Sequence, residues 1–312
     1  MFFKKKSSLD LLGVRLSDLQ MMLKPTSIKA IIKHNTLVAK QENTTTVLSV
    51  DAPIKPDTES GPIRAVIRLK TELPPQIQSL LKTEDGASAM NAFAALGALT
   101  LEEGNVYLGS RLTIYSEEDA WATLHLPLLA FTLICDPHAI LGGMRRSFAG
   151  EDSRGGDSEW KPEDLALVQS YISRVCVCTA DDDGLTAEFA LEPGAISAGM
   201  GRGKTALFQL HTDQPHPELG GGMFCLLQFP QRFEGEDKLN MACNLLNQIE
   251  MTDEDMPPHF GAWCPGRAGN IAAYVSFLPN ALHRVNGIAI NVAVWAMNRA
   301  ALANALLDRL AD

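Results

Sequence analysis

Ala198-Gly199-Met200-Gly201-Arg202-Gly203-Lys204-Thr205 comes nearest to a recognised chemistry. It matches the relaxed phosphate-loop pattern, with Ala198 in place of the first glycine. In such a loop backbone amides cradle phosphates, the lysine reaches the terminal ones and the threonine holds magnesium. On that reading Gly203, Lys204 and Thr205 would bind a nucleotide. The amides converge, however, only where a helix begins behind the loop. Here Ala206-Leu207-Phe208-Gln209-Leu210-His211 alternates as a strand does, and Pro215 and Pro217 leave no room for a long helix. An acid after an apolar run exists at Leu133-Ile134-Cys135-Asp136, but in the other half of the chain. A glycine-rich hairpin loop is the plainer reading, with nucleotide binding as the alternative.

Other polar constellations point to less. Asp181-Asp182-Asp183-Gly184 lacks the twelve-residue ligand spacing and terminal glutamate of a calcium loop, and reads as an Asp-Gly hairpin turn. Six cysteines stand at 135, 176, 178, 225, 243 and 264, five of them in apolar surroundings, as reduced buried thiols would. Cys176 and Cys178 would share one face of a strand, but no second pair is spaced to complete a metal site. Among the seven scattered histidines only His259 lies near a cysteine, Cys264, and Cys264-Pro265-Gly266 reads as a turn. His211 and His216 flank an ordinary proline loop, and His125 and His283 lie on or beside apolar segments. No catalytic residue, metal or cofactor is assigned.

The balance of the chain narrows its partners. Its 312 residues carry 27 basic and 37 acidic side chains, a net charge of 27 − 37 = −10, which disfavours a nucleic-acid footprint. Arg145-Arg146 and lysines 4–6 are the basic clusters, and aromatic residues, at 6%, are too few for stacking platforms. The three N-terminal lysines precede no apolar stretch, so secretion is not expected. The most apolar segment, from Gly287 to Leu307, holds Asn291, Asn298, Arg299 and Asn304, which suits a core helix and not a membrane span. The expectation is a cytoplasmic chain without a membrane span.

Positioning any such groups requires sheets. Ile63, Ala65, Ile67 and Leu69 alternate with polar neighbours, as do Val106, Leu108, Leu112 and Ile114, and Leu185, Ala187, Phe189 and Leu191. Period two marks strands with one buried and one wetter face. Further strands are predicted at 44–51, 173–180, 204–212, 222–230 and 270–278, with short ones near 99–101 and 260–263. Helices are predicted from Pro74-Pro75, over 87–96, from the acidic capping signature Ser116-Glu117-Glu118-Asp119, over 237–249 and near 292–310. Residues 150–159 contain no large apolar side chain and read as a linker.

The flanking halves look alike. Strand 63–70, helical material, a short strand, strand 105–115 and an apolar helix match strand 222–230, helix 237–249, a short strand, strand 270–278 and the last helix. Gly104-Asn105 and Gly269-Asn270 take the same place in each order. The second half carries additional strands at 173–212.

Met241-Ala242-Cys243-Asn244-Leu245-Leu246-Asn247, Phe260-Gly261-Ala262-Trp263 and Gly269-Asn270-Ile271 resemble the YbjN family, whose fold is similar to type III secretion chaperones. The resemblance is best over 222–312; the first half keeps Asn91, Gly97 and the Gly104 strand. It implies an α+β fold of two similar units, each a twisted, mainly antiparallel sheet with helices on one face. It also implies no known catalytic chemistry and a surface that holds polypeptide, so that a tandem copy would act as a pseudo-dimer in one chain. The expected organisation is a first unit over 1–150 with an N-terminal extension, a linker over 151–162 and a second unit over 163–312. The expected function is non-catalytic protein interaction with a polypeptide partner, by a monomeric pseudo-dimer or a homodimer.

Overall fold

Two sheets of one plan form from the alternating segments. The computed structural model describes residues 15–54, 57–58, 61–115, 121–191, 204–266 and 269–311. The first unit opens with α1 (Leu16–Leu23), β1 (Lys29–Lys33), β2 (Thr36–Gln41), β3 (Thr44–Asp51), the two-residue β4 (Asp57–Thr58) and β5 (Gly61–Glu72). Short helices α2 (Pro75–Leu81) and α3 (Glu84–Met90) lead to the hairpin of β6 (Ala98–Glu102) and β7 (Asn105–Tyr115). A π-helical turn, Trp121–His125, then opens the long α4 (Leu126–Ala149). The second unit comprises α5 (Pro162–Ile172), β8 (Val177–Ala180), β9 (Gly184–Ala190), β10 (Thr205–His211) and β11 (Gly222–Arg232). It ends with α6 (Glu236–Thr252), β12 (Ala262–Pro265), β13 (Ile271–Pro279) and α7 (Ile288–Ala311).

The sheets run β1-β2-β3-β5-β7-β6, with β4 added on β5, and β8-β9-β10-β11-β13-β12. Strand for strand these orders coincide, and α4 and α7 each span 24 residues. The chain is therefore an α+β protein of two similar, antiparallel sheet units.

The likeness reaches individual side chains. Leu16, Leu19 and Leu23 bury one face of α1, and Leu165, Val168 and Ile172 do so on α5 at the same spacing. Beside them Gln20 Nε2 donates to the Ala30 carbonyl of β1 at 2.8 Å, and Gln169 Nε2 to the Cys178 carbonyl of β8 at 3.2 Å. Asn91 clamps Leu99 by donating to its carbonyl (3.0 Å) and accepting from its N–H (2.7 Å). Asn247 holds Trp263 in the same two ways, at 2.9 and 2.8 Å.

Three sequence expectations change. The strands at 173–212 are not additional: β8, β9 and β10 are the counterparts of β1, β2 and β3. The strand expected from 173 starts at Val177, because α5, with Pro162 in its first turn and Asp164 accepting from the Lys161 N–H at 2.8 Å, runs to Ile172 and ends in a turn. The glycine–asparagine match is one residue out of register. The left-handed pair is Glu103-Gly104 (φ 51° and 78°) in the first hairpin and Gly269-Asn270 (φ 72° and 55°) in the second.

Residues 151–160 form no helix or strand, yet they bind the second unit. Arg154 N–H donates to Pro217 O at 3.0 Å, Ser158 Oγ to Gly222 O at 2.8 Å, and Trp160 is buried. One large apolar cluster runs through both units, and a smaller one joins Leu81, Leu99 and Ile140 of the first to Ala262, Cys264 and Val275 of the second. The most apolar window lies within Trp121–Ala149 and not in 287–307: 18 residues there, of mean hydropathy 1.5, are long and apolar enough to cross a membrane, but 61% of that window is buried in the fold, as in a core helix. Lysines 4–6, the capping signature at 116–119 and residues 198–203 of the glycine-rich motif lie outside the described residues.

Candidate functional site

The units meet through equivalent positions. Leu99 pairs with Leu108 in the first hairpin and Trp263 with Tyr274 in the second. Counting from these pairs makes Ala95 equivalent to His259 and Arg111 equivalent to Phe277. Arg111 exchanges backbone hydrogen bonds with His259 (2.8 and 3.3 Å), and Phe277 N–H donates to Ala95 O at 2.9 Å. Each unit thus offers one position to the other's equivalent, the self-complementary arrangement of a two-fold interface. Asn244 Oδ1 accepts from Leu101 N–H at 3.0 Å, Gln248 Nε2 donates to Leu101 O, and Asn240 reaches Asp85 at 2.7 Å.

A buried ionic cluster lies at this junction. Arg299 of α7 grips Glu250 of α6 through Nε and Nη2, both at 2.8 Å, and its Nη2 also reaches Pro258 O at 2.9 Å. Trp263 Nε1 donates to Glu250 Oε1 at 2.7 Å, and His259 Nδ1 lies 3.0 Å from Oε2. The Arg299 guanidinium also sits 3.7 Å from the Tyr274 ring centre. From the first unit Arg111 donates to Glu250 O at 2.6 Å and to Met256 O and Pro257 O at 2.7 Å. Arg111, Glu250, His259 and Arg299 are at most 2% exposed.

Burial alone would raise the Glu250 carboxyl, but Arg299 and His259 together hold it down at about 2. Burial lowers Arg111 to about 10, which leaves it cationic at neutral pH. Burial also lowers His259, against the pull of Glu250, so its neutral ring donates Nδ1–H to the carboxylate and its Nε2 finds no partner. A histidine, a carboxylate and two guanidinium groups could do acid–base work only with a substrate in reach. The void beside Arg299 is about 10 Å³, room for at most a single water. The cluster is a junction between units.

The residues singled out in the sequence are scattered. Gly203 is among the undescribed residues, Lys204 Nζ lies 3.2 Å from Asp308 Oδ1 of α7, and Thr205 opens strand β10. Asp181–Gly184 closes the β8–β9 hairpin through the Asp181 N–H to Gly184 O bond at 3.0 Å. His216 Nδ1 accepts from the Glu218 and Leu219 N–H groups (3.1 and 3.2 Å), so its Nε2–H donates to Phe93 O of the first unit at 2.9 Å. His283 pairs with Asp164 at 3.0 Å, and the six cysteines form no disulfide with one another. Among the described residues no three His, Cys, Asp or Glu side chains are placed to hold a metal ion.

Arg111, Glu250 and Arg299 were not singled out by the sequence reading. Glu250 falls on the stripe of Leu239, Cys243 and Leu246, and Arg299 on the stripe of Val292, Ala296 and Ala303. Two opposite charges on two apolar stripes were the available signal, since neither can be buried without the other.

Among the described residues an open groove of about 650 Å³ runs along the second half of α4. Ile77, Leu141, Met144 and Phe148 give it apolar walls, and Glu42, His138 and Arg145 a polar rim. Glu218 of the second unit closes one side, held by Arg146 at 2.9 Å and Arg154 at 2.7 Å. It can lie there because residue 142 is glycine: a Cβ at that position would fall 2.3 Å from Glu218 Cγ. Phe148 is 78% exposed. Fold and surface together define a two-unit α+β protein with an internal two-fold junction and an amphipathic groove. No protein-family model, curated protein or solved structure matches the chain.

Proposed function

We propose that this chain is a non-catalytic, chaperone-like interaction module, an intramolecular pseudo-dimer that holds a polypeptide segment in the groove beside α4. The groove carries the reading: apolar walls with a polar rim suit an amphipathic segment, and Phe148 offers a large ring to it. The buried ionic groups support it from the other side, because they join the units and are sealed from any substrate. Six cysteines without a disulfide, four of them buried, suit a reducing compartment, and we place the protein in the cytoplasm. The net charge of −10 argues against nucleic acid as the partner.

Purification of the tagged chain from its native cells, with mass spectrometry, should recover one recurrent polypeptide at stoichiometric level. Phe148→Glu should weaken its retention roughly thirty-fold, as loss of a central aromatic contact does. Because Phe148 is exposed, stability should move by no more than about 0.5 kcal/mol. A preparation empty of polypeptide would count against the reading. The nucleotide alternative, through Gly203, Lys204 and Thr205, predicts that magnesium-ATP raises the melting temperature and that Lys204→Ala abolishes the rise. We expect no rise at millimolar nucleotide, since Lys204 is paired with Asp308 and Thr205 leads into a strand and not a helix.

A further inference from the structure

The outer edges of the two sheets, β1 and β8, are equivalent positions that differ in their protection. β1 reads Lys29-Ala30-Ile31-Ile32-Lys33, with an exposed lysine at each end, a standard guard against edge pairing. β8 reads Val177-Cys178-Thr179-Ala180 and carries no charge. Around it Leu167, Tyr171, Val175 and Val177 are 57%, 59%, 46% and 72% exposed. We propose that β8 pairs with β8 of a second copy of this chain, making a symmetric dimer with one continuous sheet.

The hydrogen-bond alternation restricts the register. The Asp181 N–H to Gly184 O bond closes the hairpin. Residues 177 and 179 therefore aim their backbone groups at β9, and 178 and 180 aim theirs outward. The Gln169 bond to the Cys178 carbonyl shows that outward direction. Antiparallel self-pairing must match outward residues with outward residues, and only a two-fold axis through Thr179 pairs both outward residues within β8, setting Cys178 opposite Ala180 of the second copy; an axis through Cys178 would set Ala180 opposite Cys176, whose N–H already donates to Ile172 O. Cys178 N–H then meets the facing Ala180 carbonyl, and Ala180 N–H meets the Cys178 carbonyl released by Gln169.

Charge selects a second copy as the occupant. Arg174 lies just before β8 and Asp181-Asp182-Asp183 just after it, all exposed. Antiparallel pairing sets the arginine of each copy near the acidic turn of the other, at both ends of the contact. Tyr171 and Leu167, one turn apart on α5, would be covered by their own copies across the axis. The lysines of β1 disfavour the head-to-tail β1–β8 contact, which would polymerise instead of closing.

The test is the mass of the full chain by light scattering, with a cross-link to fix the register. At high micromolar concentration the chain should be a dimer, and Val177→Asp, at an exposed position that the register sets opposite Asp181 of the second copy, should return it to monomer by like-charge repulsion. Thr179→Cys should cross-link to itself under mild oxidation, because directly opposed non-hydrogen-bonded residues lie about 4.5 Å apart at Cα, within disulfide range. The parent chain, whose Cys178 faces Ala180, should not cross-link under the same conditions. A monomer at every concentration would overturn the proposal, as would a different polypeptide pairing with β8. A dimer indifferent to Val177→Asp would overturn it too, since another surface would then be responsible. None of these results bears on the groove beside α4.

Discussion

Replacing Glu250 by alanine is expected to destabilise the protein by about 3–5 kcal/mol, read as a fall in the urea midpoint. The loss is large because the carboxylate is the counter-ion of Arg299 and the acceptor for Trp263 Nε1 and His259, all within the junction. Removing it leaves a buried guanidinium with only Pro258 O and the Tyr274 ring as partners. A loss below about 1 kcal/mol would mean that water reaches the cluster, and the sealed-junction reading would fall.

The same residue gives a pH signature. The Glu250 carboxyl moves from its ordinary 4.5 to about 2 in the folded state. The unfolded chain therefore binds the proton more readily. The stability linked to Glu250 is fully present above pH 4.5 and is lost as pH falls from there towards 2, by roughly 3 kcal/mol. Glu250→Gln, which has no carboxyl to titrate, should flatten the stability profile across that window. A profile identical to the parent's would show that other carboxyls carry the acid sensitivity.

Asn247→Ala is the second large effect, about 2–4 kcal/mol, because it strands both the N–H and the carbonyl of Trp263 away from water. Asn91→Ala should cost a similar amount at Leu99, since the two asparagines make the same pair of bonds in the two units. Denaturant titrations of the two variants side by side are the measurement. A large loss at one position and none at the other would show that the equivalence is geometric and not energetic.

Much of the framework was legible. Period two in 63–70, 106–114 and 185–191 marks strands that the sheets contain, and the two halves were recognisable from β5, β7, β11 and β13. The front of each unit was not. Ala30-Ile31-Ile32 shows no alternation, because an edge strand has little to bury: Ile31 is 57% exposed. With α1, β1 and β2 unseen, β8 and β9 had no visible counterparts and looked like an insertion.

Sequence pattern is local, and what it determined about this protein is local: which segments become strands, where the long helices lie, and that the halves repeat. Which faces are buried was decided only by the tertiary structure. Arg111 alternates with Leu112 and so reads as a solvent-facing residue, yet the second unit covers that face and buries it completely. Glu250 and Arg299 stand 49 residues apart in the chain and meet only when α6 and α7 pack beside the first unit. The groove is also non-local, formed by α4, the β2–β3 turn and Glu218 of the other unit. Periodicity reports how a segment faces its own sheet; docking of the two units adds a second burial that no single segment encodes.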